Sequence, residues 1–156
     1  MLKGKVIPSS LDHVLIISQN MREDDLIELE ALGHNDPYIA LNKSFDLTKR
    51  PWTATLEGEP IFMFGVVPIS ELTGLGSPWL LGTEGITKAK RQFIKECRIY
   101  MSMMLEEYPR LSNCVDCRNE VSIRWLKWLG FEFKEAVRIG VNGEWFYPFN
   151  MEKGNV

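Results

Sequence analysis

Glycines and cations lie close together in the middle of the chain, where they could bind a phosphate group. Backbone N–H groups at the N-terminus of a helix attract anions, and a cation at that end is unfavourable unless a bound anion compensates it. The alternative is a solvated basic helix face, which needs no ligand. Both interpretations stay open, and the residues concerned are Gly82, Gly85, Lys88, Lys90 and Arg91.

The cysteines and histidines offer little to a metal ion. Cys114 and Cys117 have the spacing of a redox motif or of half a zinc site, but no second pair accompanies them. Zinc would need Cys97, His13 or His34 as well, and neither histidine belongs to a ligand-spaced motif. We therefore predict reduced, structural thiols and no metal site.

Acidic residues cluster near the N-terminal end of the chain. Such a run is typical of the first turn and the exposed face of an amphipathic helix, where acids are favourable. It could instead line an entry for a cationic amine. The residues are Glu23, Asp24, Asp25, Glu28 and Glu30.

The overall composition predicts one globular domain over residues 1–156. A net charge of −3 and a pI near 5.5 give no reason to expect nucleic acid. The longest apolar stretch, residues 61–69, is far shorter than the roughly 20 residues of a membrane helix, and the N-terminus has no apolar signal region. We expect a cytoplasmic protein with neither a nucleic-acid nor a membrane partner.

Short apolar runs and amphipathic stretches alternate along the first half of the chain. Residues 14–17 are apolar, largely β-branched and bounded by polar residues, which predicts a strand. Helices are predicted over residues 22–32 and from Pro37, capped by Asp36, to about Asp46. Residues 52–56 and 61–67 then form a β-hairpin around a glycine-containing turn, and residues 78–81 form a further strand.

The second half of the chain has the stronger periodicity. Residues 87–108 place apolar side chains at every fourth position, which predicts one long amphipathic helix ended by Pro109. A strand over residues 111–115 precedes a helix that Asn119 caps and Gly130 ends. Residues 131–139 and 144–149 complete the pattern as a hairpin around Asn142 and Gly143.

The segment that begins at Asn119 is similar to the GNAT superfamily of N-acetyltransferases. That superfamily has an asparagine, a small residue three positions later, an apolar helix and then Gly-Phe, which Asn119, Ser122, Gly130 and Phe131 match. The resemblance implies an α/β (α+β) GNAT fold, with a mixed, splayed central sheet of about seven strands flanked by about four helices. It also implies a possible acetyl-CoA site at Leu81, Gly82, Thr83, Lys88, Ala89, Lys90, Arg91, Asn119 and Ser122.

Two features of the sequence depart from what the superfamily resemblance implies. The expected Arg/Gln-x-x-Gly-x-Gly/Ala loop is missing, because Gly85 is the only glycine near its expected place. Leu126 occupies the position at which many of these enzymes have a tyrosine that protonates the leaving thiolate, and leucine cannot donate a proton. The catalytic residues therefore stay unknown, with Glu84 a candidate base by position alone, and we predict a degenerate cofactor site.

A closer resemblance extends over nearly the whole chain, to the internal virion protein A family of podophages, a divergent GNAT-like group. The motifs that carry it are Asn35-Asp36-Pro37, Gly58-Glu59-Pro60-Ile61, Phe64-Gly65-Val66, residues 78–83 and Tyr108-Pro109. The resemblance implies a phage protein in the bacterial cytoplasm or the virion, with a phage or host protein as its partner in assembly or host interaction. The alternative is an active acyl-CoA-dependent N-acetyltransferase on an amine or protein acceptor.

Overall fold

A mixed β-sheet forms the centre of the computed structural model, which describes residues 3–89 and 91–154, with only the backbone at residues 91–93. The described residues contribute eight strands, in the order β1-β2-β3-β4-β5-β8-β6, and β7 also pairs with β8. The strands are β1 (Gly4–Pro8), β2 (Trp52–Leu56), β3 (Glu59–Ser70), β4 (Leu75–Gly82), β5 (Arg110–Asp116), β6 (Glu132–Phe133), β7 (Val137–Arg138) and β8 (Trp145–Glu152).

Five α-helices cover the two faces of this sheet within the described residues. They are α1 (Leu11–Gln19), α2 (Glu23–Ala31), α3 (Pro37–Leu47), α4 (Arg91–Glu107) and α5 (Glu120–Leu129). Successive strand residues point to opposite faces. Met63 of β3 packs with α1–α3, whereas its neighbours Phe62 and Phe64 pack with α4 and α5. The core therefore has two layers, one on each side of the sheet.

The helix ends follow the capping residues of the sequence. The side chain of Asp36 accepts the N–H groups of Tyr38 and Ile39 at the start of α3. Asn119 caps α5, and Gly130 ends it with a φ of 101°, a left-handed conformation that favours glycine. The structure confirms the predicted helix in residues 22–32, which is α2, and the predicted helices capped by Asp36 and Asn119, which are α3 and α5. It also confirms the hairpin of β2 and β3.

The predicted first strand is wrong, because residues 14–17 lie in helix α1. Val14 and Ile17 are buried while Leu15 and Ile16 are exposed, which is the three-residue spacing of a helix rather than the alternation of a strand. Ser10 and His13 form a capping box that starts this helix. The first strand comes earlier, in β1, which the sequence analysis did not assign.

The long helix starts later than predicted, at Arg91 instead of Thr87. A 3₁₀ helix, Glu84–Lys88, comes first, with the Thr83 side chain accepting the Gly85 N–H at its start. Ala89 then has an extended backbone, which separates the two helices. Lys88 therefore lies outside α4. The predicted strand over residues 131–139 is also shorter than expected, since only β6 and β7 within it pair with β8.

Strands β4 and β5 are parallel neighbours that pair only at their first residues. The paired residues are Leu75 with Arg110 and Gly76 with Leu111. Further along, the side-chain amide of Asn113 donates to the Pro78 carbonyl at 2.7 Å, so a side chain replaces a backbone hydrogen bond between the strands. This confirms the predicted splayed, mixed sheet. No helix in the described part of the chain is long and apolar enough to cross a membrane.

Candidate functional site

A cavity of about 320 Å³ lies where β4 and β5 diverge. Its wall is mainly apolar and comes from both layers, including Leu81 of β4, Val115 of β5, Met101 of α4 and Trp125 of α5. Polar groups reach the wall at a few positions: Glu28, Asn113, Cys114 and Ser122 are among them. A mostly apolar cavity with few polar groups is typical of a site for a small molecule or for part of a cofactor.

A buried network beside this cavity is centred on Arg22, whose side chain is 2% exposed. Its Nη2 donates to Asp25 Oδ1 at 2.9 Å and to Ser122 Oγ at 2.8 Å, and it also bonds Asn119 Oδ1. Asn119 returns a hydrogen bond from Nδ2 to Asp25 Oδ1 at 3.1 Å. The network therefore ties the start of α2 to the start of α5.

Two residues of the same network form hydrogen bonds to the backbone at the end of β4. Asp25 Oδ2 accepts the N–H of Gly82 at 2.9 Å, and the Gly82 carbonyl accepts the N–H of Arg22 at 2.9 Å. Both backbone groups of Gly82 are thus bonded to residues at the N-terminal end of α2. A ligand that used either group would have to displace them.

Glu28 makes the corresponding contact to the end of β5. Its Oε1 accepts the N–H of Asp116 at 2.7 Å and the Nδ2 of Asn119 at 3.4 Å. Because Asp25 and Glu28 are three residues apart on a helix, they share one face of α2. Helix α2 therefore bridges the gap between the diverging strands, with one carboxyl side chain bonded to each strand end.

The environment of these acids changes their pKa values. Burial raises the pKa of Glu28 to about 8, and the nearby charges of Asp25 and Asp116 add to the shift. Burial also raises the pKa of Asp25, which Arg22 opposes. Burial acts in the same direction at Asp116, but the hydrogen bonds from Arg118 lower the pKa of that carboxyl overall. Glu28 is therefore a carboxyl able to hold or release a proton near neutral pH.

The loop after β4 uses several of its own N–H groups internally. Thr83 donates to the Ile61 carbonyl at 2.7 Å, and Gly85 donates to the Thr83 hydroxyl at 3.1 Å. Ile86 donates to the carbonyl of Thr83, and Ala89 to that of Ile86. These four donors are already satisfied, so they do not form an open anion-binding cradle.

The structure brings only some of the predicted cofactor residues together. Gly82, Asn119 and Ser122 meet through the network of Arg22 and Asp25, and Leu81 lines the cavity. Lys88 and Ala89 lie in and just after the 3₁₀ helix, and Thr83 caps that helix. Lys90 falls outside the described residues, and of Arg91 only the backbone at the start of α4 is described.

Sequence reasoning missed Arg22, and it named Asp25 and Glu28 only as members of an acidic run that could line an entry for an amine. Glu23 and Glu30 are exposed, as expected for a solvated helix face, but Asp25 is fully buried. The signal was present, since Asp25 and Glu28 share a helix face with the buried Leu29 next to it. Leu126, at the position compared with the tyrosine of related enzymes, does line the cavity.

The cysteines are free thiols, and two of them line the cavity. Burial raises the pKa of Cys97 to about 12 and that of Cys114 to about 11. Both are therefore protonated near neutral pH, which disfavours redox or nucleophilic chemistry at these positions.

Comparisons with solved structures identify the fold. The ribosomal-protein-S5-alanine acetyltransferase of Vibrio fischeri superposes with a TM-score of 0.66 at 13% identity, over 97% of this chain and 94% of that one. An aminoglycoside acetyltransferase in complex with coenzyme A superposes with a TM-score of 0.66 at 15% identity, over 97% of this chain and 95% of that one. A GNAT-family acetyltransferase of Streptococcus pneumoniae superposes with a TM-score of 0.59 at 12% identity, over 97% of this chain and 100% of that one.

The chain therefore has the fold of the GNAT acetyltransferases. A family described as "Bacteriophage T7, probable scaffold protein Gp13" matches residues 78–137, which run from β4 through α5 to β7. A comparison with curated protein sequences finds no match. The matched segment includes the end of β4, the loop after it and the Asn119 cap, and thus much of the candidate site.

Proposed function

We propose that this chain is a phage protein whose GNAT fold has a degenerate acetyl-CoA site and which acts through protein contacts in virion assembly or host interaction. The observation that carries the proposal is the hydrogen bond from the Gly82 N–H to Asp25. In the superfamily that this chain resembles, the strand corresponding to β4 exposes its backbone groups to the pantetheine arm. Here a buried carboxylate and the Arg22 backbone take both groups of Gly82.

Opening this site to a cofactor would be costly. A ligand that takes the Gly82 N–H would leave Asp25 Oδ2 buried without its hydrogen-bond donor, which costs roughly 1–3 kcal/mol and more for a charged group. Binding energy spent on that displacement is lost from the affinity for the cofactor. We therefore expect acetyl-CoA to bind weakly.

A second argument concerns the leaving group. Leu126 lines the cavity, and its side chain cannot protonate a departing thiolate. General acid catalysis contributes about 10²–10⁴-fold to a rate. Weak cofactor binding and the absence of an acid at this position together favour turnover close to background.

The match to a phage scaffold family supports a role in the particle rather than in metabolism. On this proposal the partner is a phage or host protein, and the chain works in the bacterial cytoplasm or as part of the virion. The more specific resemblance to the internal virion protein A family belongs to the same proposal. Neither nucleic acid nor a membrane is expected as a partner.

The test combines an activity assay with capture from infected cells. Release of free thiol from acetyl-CoA is measured against a panel of amines and peptides, while tagged protein is recovered from phage-infected and uninfected cells. We expect background turnover and recovery of phage proteins or of host proteins enriched on infection. Robust turnover on any acceptor, with no partner enriched by infection, would overturn the proposal.

An active acyl-CoA-dependent N-acetyltransferase is the second candidate, and the cavity with Glu28 in its wall favours it. A carboxyl with a pKa of about 8 could accept the proton of an attacking amine. On this alternative, Glu28→Gln abolishes turnover while Glu30→Gln, an exposed position on the same helix, leaves it unchanged. Unchanged turnover in Glu28→Gln would exclude this role for Glu28.

A further inference from the structure

The layer of helices α1–α3 exposes many large apolar side chains. Sixteen large apolar side chains are exposed among the described residues, and eight of these lie between Leu11 and Leu47. The most exposed of the eight are Leu11 at 62% and Ile39 at 64%. The others are Leu15, Ile16, Leu26, Leu32, Tyr38 and Leu47, of which Leu32 and Leu47 line the cavity and do not belong to the proposed face.

Six of the eight side chains belong to α1 and α3. Helices α1 and α3 pack against each other and against β3, so their outer faces lie next to one another. Leu11 and Leu15 are four residues apart on α1 and therefore share a face of that helix. The buried core beneath consists of other residues of the same helices, among them Val14, Ile17 and Leu41.

The same layer is strongly acidic. Residues 11–47 contain eight acidic and two basic residues, a formal net charge of −6, whereas the whole chain carries −3 and the remainder therefore +3. Asp25 and Glu28 face the strand ends, so the other six acids supply the charge of the surface. Arg22, one of the two bases, is buried in its pair with Asp25, so Lys43 is the only exposed Lys or Arg in these helices. Exposed acids on the outer surface include Asp12, Glu30 and Asp46.

We propose that this face of α1 and α3 docks a basic amphipathic helix of a partner protein. Apolar residues of the partner would cover Leu11, Leu15 and Ile39, and its lysines or arginines would meet the acids at the rim. Charge complementarity selects this occupant, because an acidic or neutral helix would leave the exposed acids without countercharge. Apolar anchors surrounded by charged groups are typical of protein interfaces.

This inference rests on the proposed function, since it specifies the chemistry of the protein partner that the proposed function requires. Docking would take place on the outer surface of the α1–α3 layer, away from the buried Gly82 contact. Peptide binding can therefore be measured without acetyl-CoA and independently of turnover. A failure of docking would leave the function test intact.

The experiment uses fluorescence anisotropy with three labelled helical peptides of about 18 residues, five turns of helix. The first has a leucine stripe at helical spacing with lysines elsewhere, the second has the same composition in shuffled order, and the third replaces lysine by glutamate. We expect the striped basic peptide to bind at least tenfold more tightly than either of the others.

A matched pair of variants locates the binding site. Leu11→Ser/Ile39→Ser removes two apolar contacts from the proposed face and should weaken binding about tenfold. Ile69→Ser/Ile99→Ser changes two side chains of similar exposure, 59% and 61%, elsewhere on the surface and should leave it unchanged. All four positions are exposed, and thermal unfolding checks that both variants are folded.

Three results would overturn the inference. If the shuffled peptide bound as tightly as the striped one, charge attraction alone would explain the binding. If both double variants lost the same affinity for the striped peptide, the contact would lie elsewhere on the protein. Sedimentation showing that the protein itself dimerises through this face, with dimerisation lost in Leu11→Ser/Ile39→Ser only, would make a second copy the occupant instead of a basic helix.

Discussion

Asp25 accepts the backbone N–H of Gly82 across a distance of 2.9 Å, which joins helix α2 to the end of strand β4. One helical turn later, Glu28 accepts the N–H of Asp116 at the end of β5. The gap between the two splayed strands is therefore bridged from within the protein, by carboxyl groups whose oxygens accept hydrogen bonds from donors that a ligand could otherwise use.

The first prediction concerns the stability of this bridge. Arg22→Ala leaves Asp25 buried without its cation and should lower the free energy of unfolding by about 3–5 kcal/mol. Lys153→Ala removes an exposed ion pair with Glu106, in which Lys153 is 51% exposed, and should cost less than about 1 kcal/mol. Urea unfolding of both variants measures the difference. Equal effects would mean that the Arg22 network contributes no more than a surface pair.

The second prediction concerns pH. Folded Glu28 keeps its proton up to about pH 8, whereas the unfolded chain releases it near 4.5. Unfolding therefore releases a proton in this window, and the free energy of unfolding contributed by Glu28 falls as pH rises. Glu28→Gln should remove this fall, on the order of 1–3 kcal/mol after allowance for partial exposure.

The exposed Glu30→Gln on the same helix is the control, and it should keep the pH dependence of the wild type. Urea unfolding at several pH values between about 4.5 and 8 gives both profiles. Because Asp25 also has a raised pKa, the difference between wild type and Glu28→Gln is the informative quantity. Parallel profiles for wild type and Glu28→Gln would contradict the assignment.

The third prediction concerns the contribution of Gly82 to stability. A Cβ at this position would lie 2.6 Å from the Cβ of Phe62 and 2.8 Å from the Ile61 carbonyl oxygen. Gly82→Ala should therefore destabilise the protein by about 1–3 kcal/mol, whether or not a cofactor binds. Thermal unfolding without any ligand measures this cost. An unchanged unfolding temperature would mean that β3 and β4 can move apart at this point.

The fourth prediction concerns coenzyme A. Any affinity should be weak and should depend on the cations near the loop, so Lys88→Ala/Arg91→Ala should lower it further. Because exposed charges are screened by salt, binding should also fall steeply with ionic strength. Calorimetry at low and high salt tests this, with Lys5→Ala/Lys134→Ala, two exposed cations outside the loop and α4, as the control. Tight binding that is insensitive to salt would contradict it.

The sequence predicts most of the fold where local signals are strong. Asp36, Asn119 and Gly130 cap the helices they were expected to cap, and the long amphipathic repeat is α4. The failure at residues 14–17 has a physical reason, since a short apolar run can also lie in a helix, where Val14 and Ile17 are buried and the two residues between them are exposed. Periodicity over four residues does not separate the two.

The candidate site was harder to predict than the fold, because it depends on contacts between distant parts of the chain. Asn119 was identified as a helix cap, but its bonds to Arg22 and Asp25 join residues more than 90 positions apart. Helical spacing puts Asp25 and Glu28 on one face of α2, but it does not show which strand ends their side chains meet. Asp25 is buried and its acidic neighbour Glu23 is exposed because α2 packs across β4 and β5.

The most direct test of the account measures thiol release from acetyl-CoA by the wild type on a broad panel of amines and peptides, beside Glu28→Gln and Glu30→Gln. The bridged site and Leu126 predict a rate indistinguishable from spontaneous hydrolysis for all three proteins. Robust turnover by the wild type and by Glu30→Gln, abolished in a folded Glu28→Gln, would contradict the account and establish an acetyltransferase.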